Sequence, residues 1–137
     1  MISDVEFRID DLNNTMDTSQ LKNRTKIFAL NILALVEELP KTNSGYTIGR
    51  QLGKCGTSVG ANYRSACRAK SKADFIAKIG IVEEEADESC YWLELVIEGG
   101  IIKNEKPKKL LKEANELTAI FTATGKTTKD HHSKFKK

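Results

Sequence analysis

The chain has 137 residues, 39% hydrophobic and 30% charged, with a formal net charge of +3. That length and composition suit a single domain with one core, and the absence of a long apolar run excludes a membrane-spanning protein. Three cysteines, Cys55, Cys67 and Cys90, lack metal-ligand spacing and sit inside helical patterns, so buried thiols are expected rather than a disulfide or metal site. The first residues, MISDVEFRIDD, are acidic where a secretory signal would be basic and then apolar, which points to the cytoplasm.

Residues 1–17 form an acidic arm with a short alternation at Val5, Phe7 and Ile9, read as a weak strand or a mobile segment. The first helix should start near Thr18 or Ser19, both good N-caps, and run to Leu39 before Pro40 stops it. Its seam is Leu21, Thr25, Phe28, Ile32, Leu35 and Leu39. After the polar turn KTNSG, the second helix carries three stripes at helical spacing. Ile48, Leu52, Cys55, Val59, Asn62, Ala66 and Ala69 form the seam to be buried. Gly49, Gly53, Gly56 and Gly60 form a row that costs about 1 kcal/mol per glycine relative to alanine. Such a row permits close approach of another backbone, from a neighbouring helix or another subunit. Arg50, Lys54, Arg64 and Arg68, interrupted by Thr57 and Ala61, form a cationic stripe pointing away from the core.

Ser71 and Asp74 have capping-box spacing and open the third helix. It runs to about Glu98 with Phe75, Ile79, Val82, Ala86, Ser89, Leu93 and Val96 inward, and Gly99-Gly100 ends it. Tyr91 and Trp92 lie beside that seam. The fourth helix follows Asn104, accepts Pro107 in its first turn and uses Leu110, Ala114, Leu117 and Phe121. At Gly125 the apolar pattern stops, and residues 125–137 read as a disordered basic tail. Residues 18–124 thus predict an all-α, antiparallel up-down four-helix bundle.

Three stretches, QLGKCGTSVGAN, KSKADF and EEEADESCYWLELV, resemble the bacterial four-helix-bundle proteins encoded in intervening sequences of 23S rRNA genes. The resemblance runs from about Arg24 to Phe121; accessory proteins of diversity-generating retroelements are looser relatives in the same fold family. It implies the same bundle, a homopentameric barrel-like assembly, and either a link to ribosomal RNA or docking to an enzyme such as a reverse transcriptase. The family pattern also places an Asn at Asn62 and a Glu-Ala-x-Glu-Thr-type run on the third helix, matched by Glu85, Ala86, Glu88 and Ser89. A structural polar cluster of Asn62, Glu85, Glu88 and Ser89 is therefore expected, inside a bundle or between bundles. Many members carry Glu three residues after that Asn, where this chain has Ser65, so a role for that carboxylate is absent or moved.

Charge is segregated along the chain. Residues 1–20 are acidic, residues 21–80 are basic, and Ile81 to Glu98 contain no Lys or Arg. Nucleic-acid binding is the function this pattern suggests, through Arg50, Lys54, Arg64, Arg68, Lys70 and Lys72 with Lys22, Arg24 and Lys26. Little aromatic interleaving accompanies these cations, so backbone or shape recognition of structured RNA or an RNA–DNA hybrid is expected rather than base reading. The alternative is a scaffold whose cationic face docks an acidic protein. Self-association is expected through Gly49, Gly53, Gly56 and Gly60 or through Tyr91 and Trp92.

No enzyme, cofactor or metal is expected. Glu84, Glu85 and Glu88 lack the inward Glu-x-x-His pairs of di-iron bundles, since the only histidines are His131 and His132. Gly49 to Gly53-Lys54 is one residue short of a phosphate loop, and Cys55 follows where Ser or Thr is needed. Serine or cysteine catalysis lacks a histidine base in the helical region.

Overall fold

The computed structural model describes residues 17–136, with side chains to Asp130; the acidic arm at residues 1–16 lies outside the described residues. Four helices, and no strand, form the described part: α1 (Thr18–Glu37), α2 (Asn43–Ala66), α3 (Lys72–Glu98) and α4 (Lys106–Lys136). Each helix packs closely on the next, as an up-down bundle requires, whereas α1 meets α4 more loosely.

Local chemistry sets the helix starts. Asp17, one residue before the expected caps, opens α1: its Oδ1 accepts from the Gln20 N–H at 2.7 Å, and Gln20 Oε1 accepts from the Asp17 N–H at 3.1 Å. Only Asp17 has a Gln three residues on, so only it completes the reciprocal box. Thr42 caps α2 by accepting from the Gly45 N–H at 3.1 Å, which draws most of the KTNSG turn into the helix. Gly45 is required there, because a Cβ would collide with the Pro40 carbonyl oxygen. Ser71 caps α3, its Oγ accepting from the Asp74 N–H at 3.1 Å. The Asp74 carboxylate does not return the bond to Ser71; it accepts from the Lys70 N–H at 3.0 Å and from Lys78 Nζ at 2.7 Å. At the other end of α3, Gly100 takes φ +62°, a left-handed conformation that glycine adopts without strain.

The seams expected of α1, α3 and α4 are buried throughout. On α2 the seam differs at one position: Tyr63 is 0% exposed while Asn62 is half-buried. After Val59 a step of three or of four stays within about 60° of the core direction, given 100° per residue. The apolar ring takes the core and packs on Phe121 with centroids 5.3 Å apart. Asn62 instead donates from Nδ2 to the Ser58 carbonyl at 2.9 Å.

The glycine row is used mainly inside the chain. A Cβ on Gly56 would lie 2.8 Å from Ile32, and one on Gly60 3.2 Å from Thr25 Oγ1, so these two let α1 and α2 approach. Gly49 faces Leu39 and Val36 at ordinary contact distance, and only Gly53 faces open space. Their reading as subunit contacts is corrected accordingly for Gly56 and Gly60, whose neighbour is α1.

The tail reading is also corrected. Residues 125–136 continue α4 without a break, and Thr124 and Thr128 extend its seam at 5% and 0% exposure. Their hydroxyls donate to the Ile120 and Thr124 carbonyls at 2.8 and 2.7 Å, so a side chain that looks polar in sequence buries its methyl group at no unpaired cost.

Candidate nucleic-acid interface

An antiparallel bundle brings the N-termini of α1 and α3 to the same end as the C-termini of α2 and α4. In this chain that end collects cations far apart in sequence. Lys22 on α1, Arg64 on α2, Arg68 in the turn just after α2, and Lys78 on α3 line one open cleft of about 580 Å³, together with Ala61 and Ser65. Lys26 on α1, Lys70 in the α2–α3 connection, and Lys126 and Lys129 on α4 are exposed toward the same end. Their described acidic neighbours include Asp74, which is engaged by Lys78 and Lys70, and Asp130. The pairing with Lys78 first, then the Lys70 N–H bond, holds the Asp74 carboxyl below the usual carboxylate range. Asp74 thus stays ionised and holds Lys78 against α3.

The nine cations singled out from the sequence do not form one surface. Lys22, Arg64 and Arg68 share the cleft, with Lys26 and Lys70 near it. Arg50 and Lys54 are exposed on the same outward line of α2, but Lys54 is about 15 Å along the helix from Arg64. Lys54 lies toward Glu85, whose carboxyl is pushed up by burial and then by Glu88 while Lys54 opposes the shift.

Two of the nine leave the candidate interface. Lys72 is 1% exposed, because position 72 falls on the inward side of the first α3 turn, one heptad-like step before Ile79. Arg24 is turned toward α4 and forked onto Glu113, with N–O distances of 2.7 and 2.8 Å, and reaches Glu116 at 2.8 Å. The Glu113 hydrogen bonds raise its pKa despite partial burial, so its charge serves the α1–α4 seam, as does the Lys106–Glu38 pair at 2.7 Å. Lys78 was not singled out from sequence. Its signal was its position four residues after Asp74 on one helix face, which makes it the natural partner of the cap carboxylate.

Within one bundle the expected polar cluster does not assemble around Asn62. Ser89 is fully buried, donates to the Glu85 carbonyl at 2.9 Å and lies 3.4 Å from Cys55 Sγ. Glu88 is exposed and Glu85 half-buried. The link across α2 and α3 is therefore Cys55–Ser89, since the step to Tyr63 rotates Asn62 outward. Burial pushes the Cys55 thiol up to about 11, so it is a neutral packing group. Cys55, Cys67 and Cys90 are outside any disulfide, and no metal-ligand cluster occurs among the described residues. No helix there is long and apolar enough to cross a membrane. Tyr91 is exposed and meets Trp92 edge-on at 5.2 Å.

A four-helix bundle with these seams is a class of small helical protein rather than a single function. The model of the 23S rRNA-intervening sequence protein family matches residues 18–123, and the chain belongs to that family. A crystal structure of a protein of unknown function from the S23 ribosomal protein family of Bacteroides thetaiotaomicron is similar at 33% identity and TM-score 0.74. The similarity covers 81% of this chain and 99% of that one. No curated protein matches the chain.

Proposed function

We propose that this chain is a non-catalytic protein that binds structured RNA or an RNA–DNA hybrid through the backbone phosphates. The observation that carries the reading is the cleft in which Lys22, Arg64, Arg68 and Lys78 converge from three helices. Membership of a family named for ribosomal RNA intervening sequences supports the same ligand class. Guanidinium groups suit phosphate oxygens because their planar fork gives two parallel hydrogen bonds. The cleft is lined by no aromatic side chain, so it offers no stacking platform, and binding is to charge and shape rather than base identity.

The test is binding of purified protein to a structured RNA, a DNA duplex and a hybrid across a salt series. Reversing Arg64 and Arg68 to Glu lowers affinity at least tenfold and flattens the salt dependence, because each lost phosphate contact removes about 0.7 to 0.9 from the log–log slope. Reversing Arg50 and Lys54 has a smaller effect. Unchanged binding by a folded Arg64→Glu/Arg68→Glu protein overturns the reading. An acidic protein captured by the same end, in place of any nucleic acid, favours the scaffold instead.

A further inference from the structure

Among the described residues no ion pair engages Lys22, Arg64 or Arg68, and all three are exposed. Lys106 and Lys108, at the far end of the bundle, are by contrast paired with Glu38 and Glu105. Lys78 in the cleft holds Asp74, but that carboxylate is already divided between Lys78 and the Lys70 N–H. The cleft therefore gathers like charges that its surrounding helices do not neutralise.

The acidic stretch next to it in the chain is the arm. Residues 1–16 carry Asp4, Glu6, Asp10 and Asp11 against one cation, Arg8. They enter α1 at its cap, Asp17, and Lys22 follows about 7.5 Å along the helix axis. The arm thus joins the bundle at the end that holds the cleft. Asp10 and Asp11 stand seven and six residues before Asp17. That separation allows a reach of at most about 20–25 Å. Arg64 belongs to the helix packed beside α1, whose axis lies roughly 8–10 Å away, within that reach. Lys106 and Lys109 lie beyond it, because α1 itself is about 30 Å long. Charge and reach select the same target. The arm also precedes the stretch matched by the family model, which begins at residue 18.

We propose that the acidic arm, residues 1–16, docks on the cationic cleft of its own bundle and competes there with nucleic-acid phosphates. The docking stands on charge and reach, and the competition rests on the nucleic-acid reading above. The tether keeps the arm at high local concentration, so a few weak ion pairs suffice to hold it. Apparent affinity for RNA falls with the fraction of chains left open, by about tenfold when nine chains in ten are covered.

Two measurements on the full chain test this. Without nucleic acid, carbodiimide coupling followed by peptide mass spectrometry joins Asp10 or Asp11 to Lys22, Lys70 or Lys78, and not to Lys103 or Lys109. In an equal mixture of heavy-isotope and unlabelled chains, the joined peptides carry one label. In RNA binding at low salt, neutralising the arm with Asp4→Asn, Glu6→Gln, Asp10→Asn and Asp11→Asn raises affinity about tenfold. The same four changes in the Arg64→Glu/Arg68→Glu protein raise it much less, since that cleft no longer holds the arm. Asp17 is kept in every variant, so the α1 cap stays intact. A rise of equal size in both backgrounds is general charge repulsion and overturns the proposal. So does coupling to the far-end lysines, coupling across labels, or an unchanged affinity in a native protein that binds RNA. If neither the native nor the neutralised protein binds RNA, the nucleic-acid reading falls and the coupling pattern alone decides the docking.

Discussion

At Gly56 a single methyl group would press on the branched side chain of Ile32, whereas at Gly53, three residues earlier, it would meet nothing within 4 Å. The two positions therefore respond to alanine with opposite signs. Gly53→Ala raises unfolding stability by up to about 1 kcal/mol through helix propensity. Gly56→Ala forces a stiff β-branched neighbour to move and costs about 1–3 kcal/mol, less the propensity gain. Urea unfolding of the two variants beside the native chain checks the pair. Cys55 makes a second residue-scale prediction. Its folded pKa is raised from an ordinary 9.0 to about 11, chiefly by burial, so the folded state favours the protonated thiol. That contribution is complete below about pH 9 and is lost as pH rises toward 11. Alkylation at pH 8 accordingly spares Cys55 in the folded protein and reaches half-buried Cys67 first. Mass spectrometry of the labelled peptides reads the order.

At the scale of helices, what was legible in the sequence depended on how sharply each position discriminates inside from outside. The seams of α1 and α3 could be read because apolar residues recur at helical steps with polar residues between them. Position 62 could not be settled in this way. Asn62 and Tyr63 both lie near the inward direction of α2, and the choice rests on the space beside Phe121, which no spacing reports. Lys72 was misplaced for a related reason: a lysine counts as cationic surface until the first turn of α3 fixes its direction. The end of α4 was missed because Thr124, Gly125 and Thr128 carry no apolar signal, although two of them satisfy their hydroxyls on their own helix. Truncation before Gly125 tests that extension. It uncovers part of Ile79, against which Gly125 packs, and should lower stability on the order of 1 kcal/mol with a matching fall in Tm. A disordered tail would leave the melting curve unchanged.

At the scale of the molecule, topology does what no single helix can. Lys22, Arg64 and Lys78 are separated by 42 and 14 positions along the chain, yet they share one cleft because α1, α2 and α3 alternate in direction. A net charge of +3 alone would not attract a polyanion strongly; concentration of cations at one end of the bundle creates the local potential that would. The measurement that tests the central claim most directly is the salt dependence of binding to a structured RNA, compared between the native protein and Arg64→Glu/Arg68→Glu. The account predicts a steep loss of native affinity with rising salt and a weaker, flatter response in the variant. Equal affinity and equal slope in two well-folded proteins would contradict it.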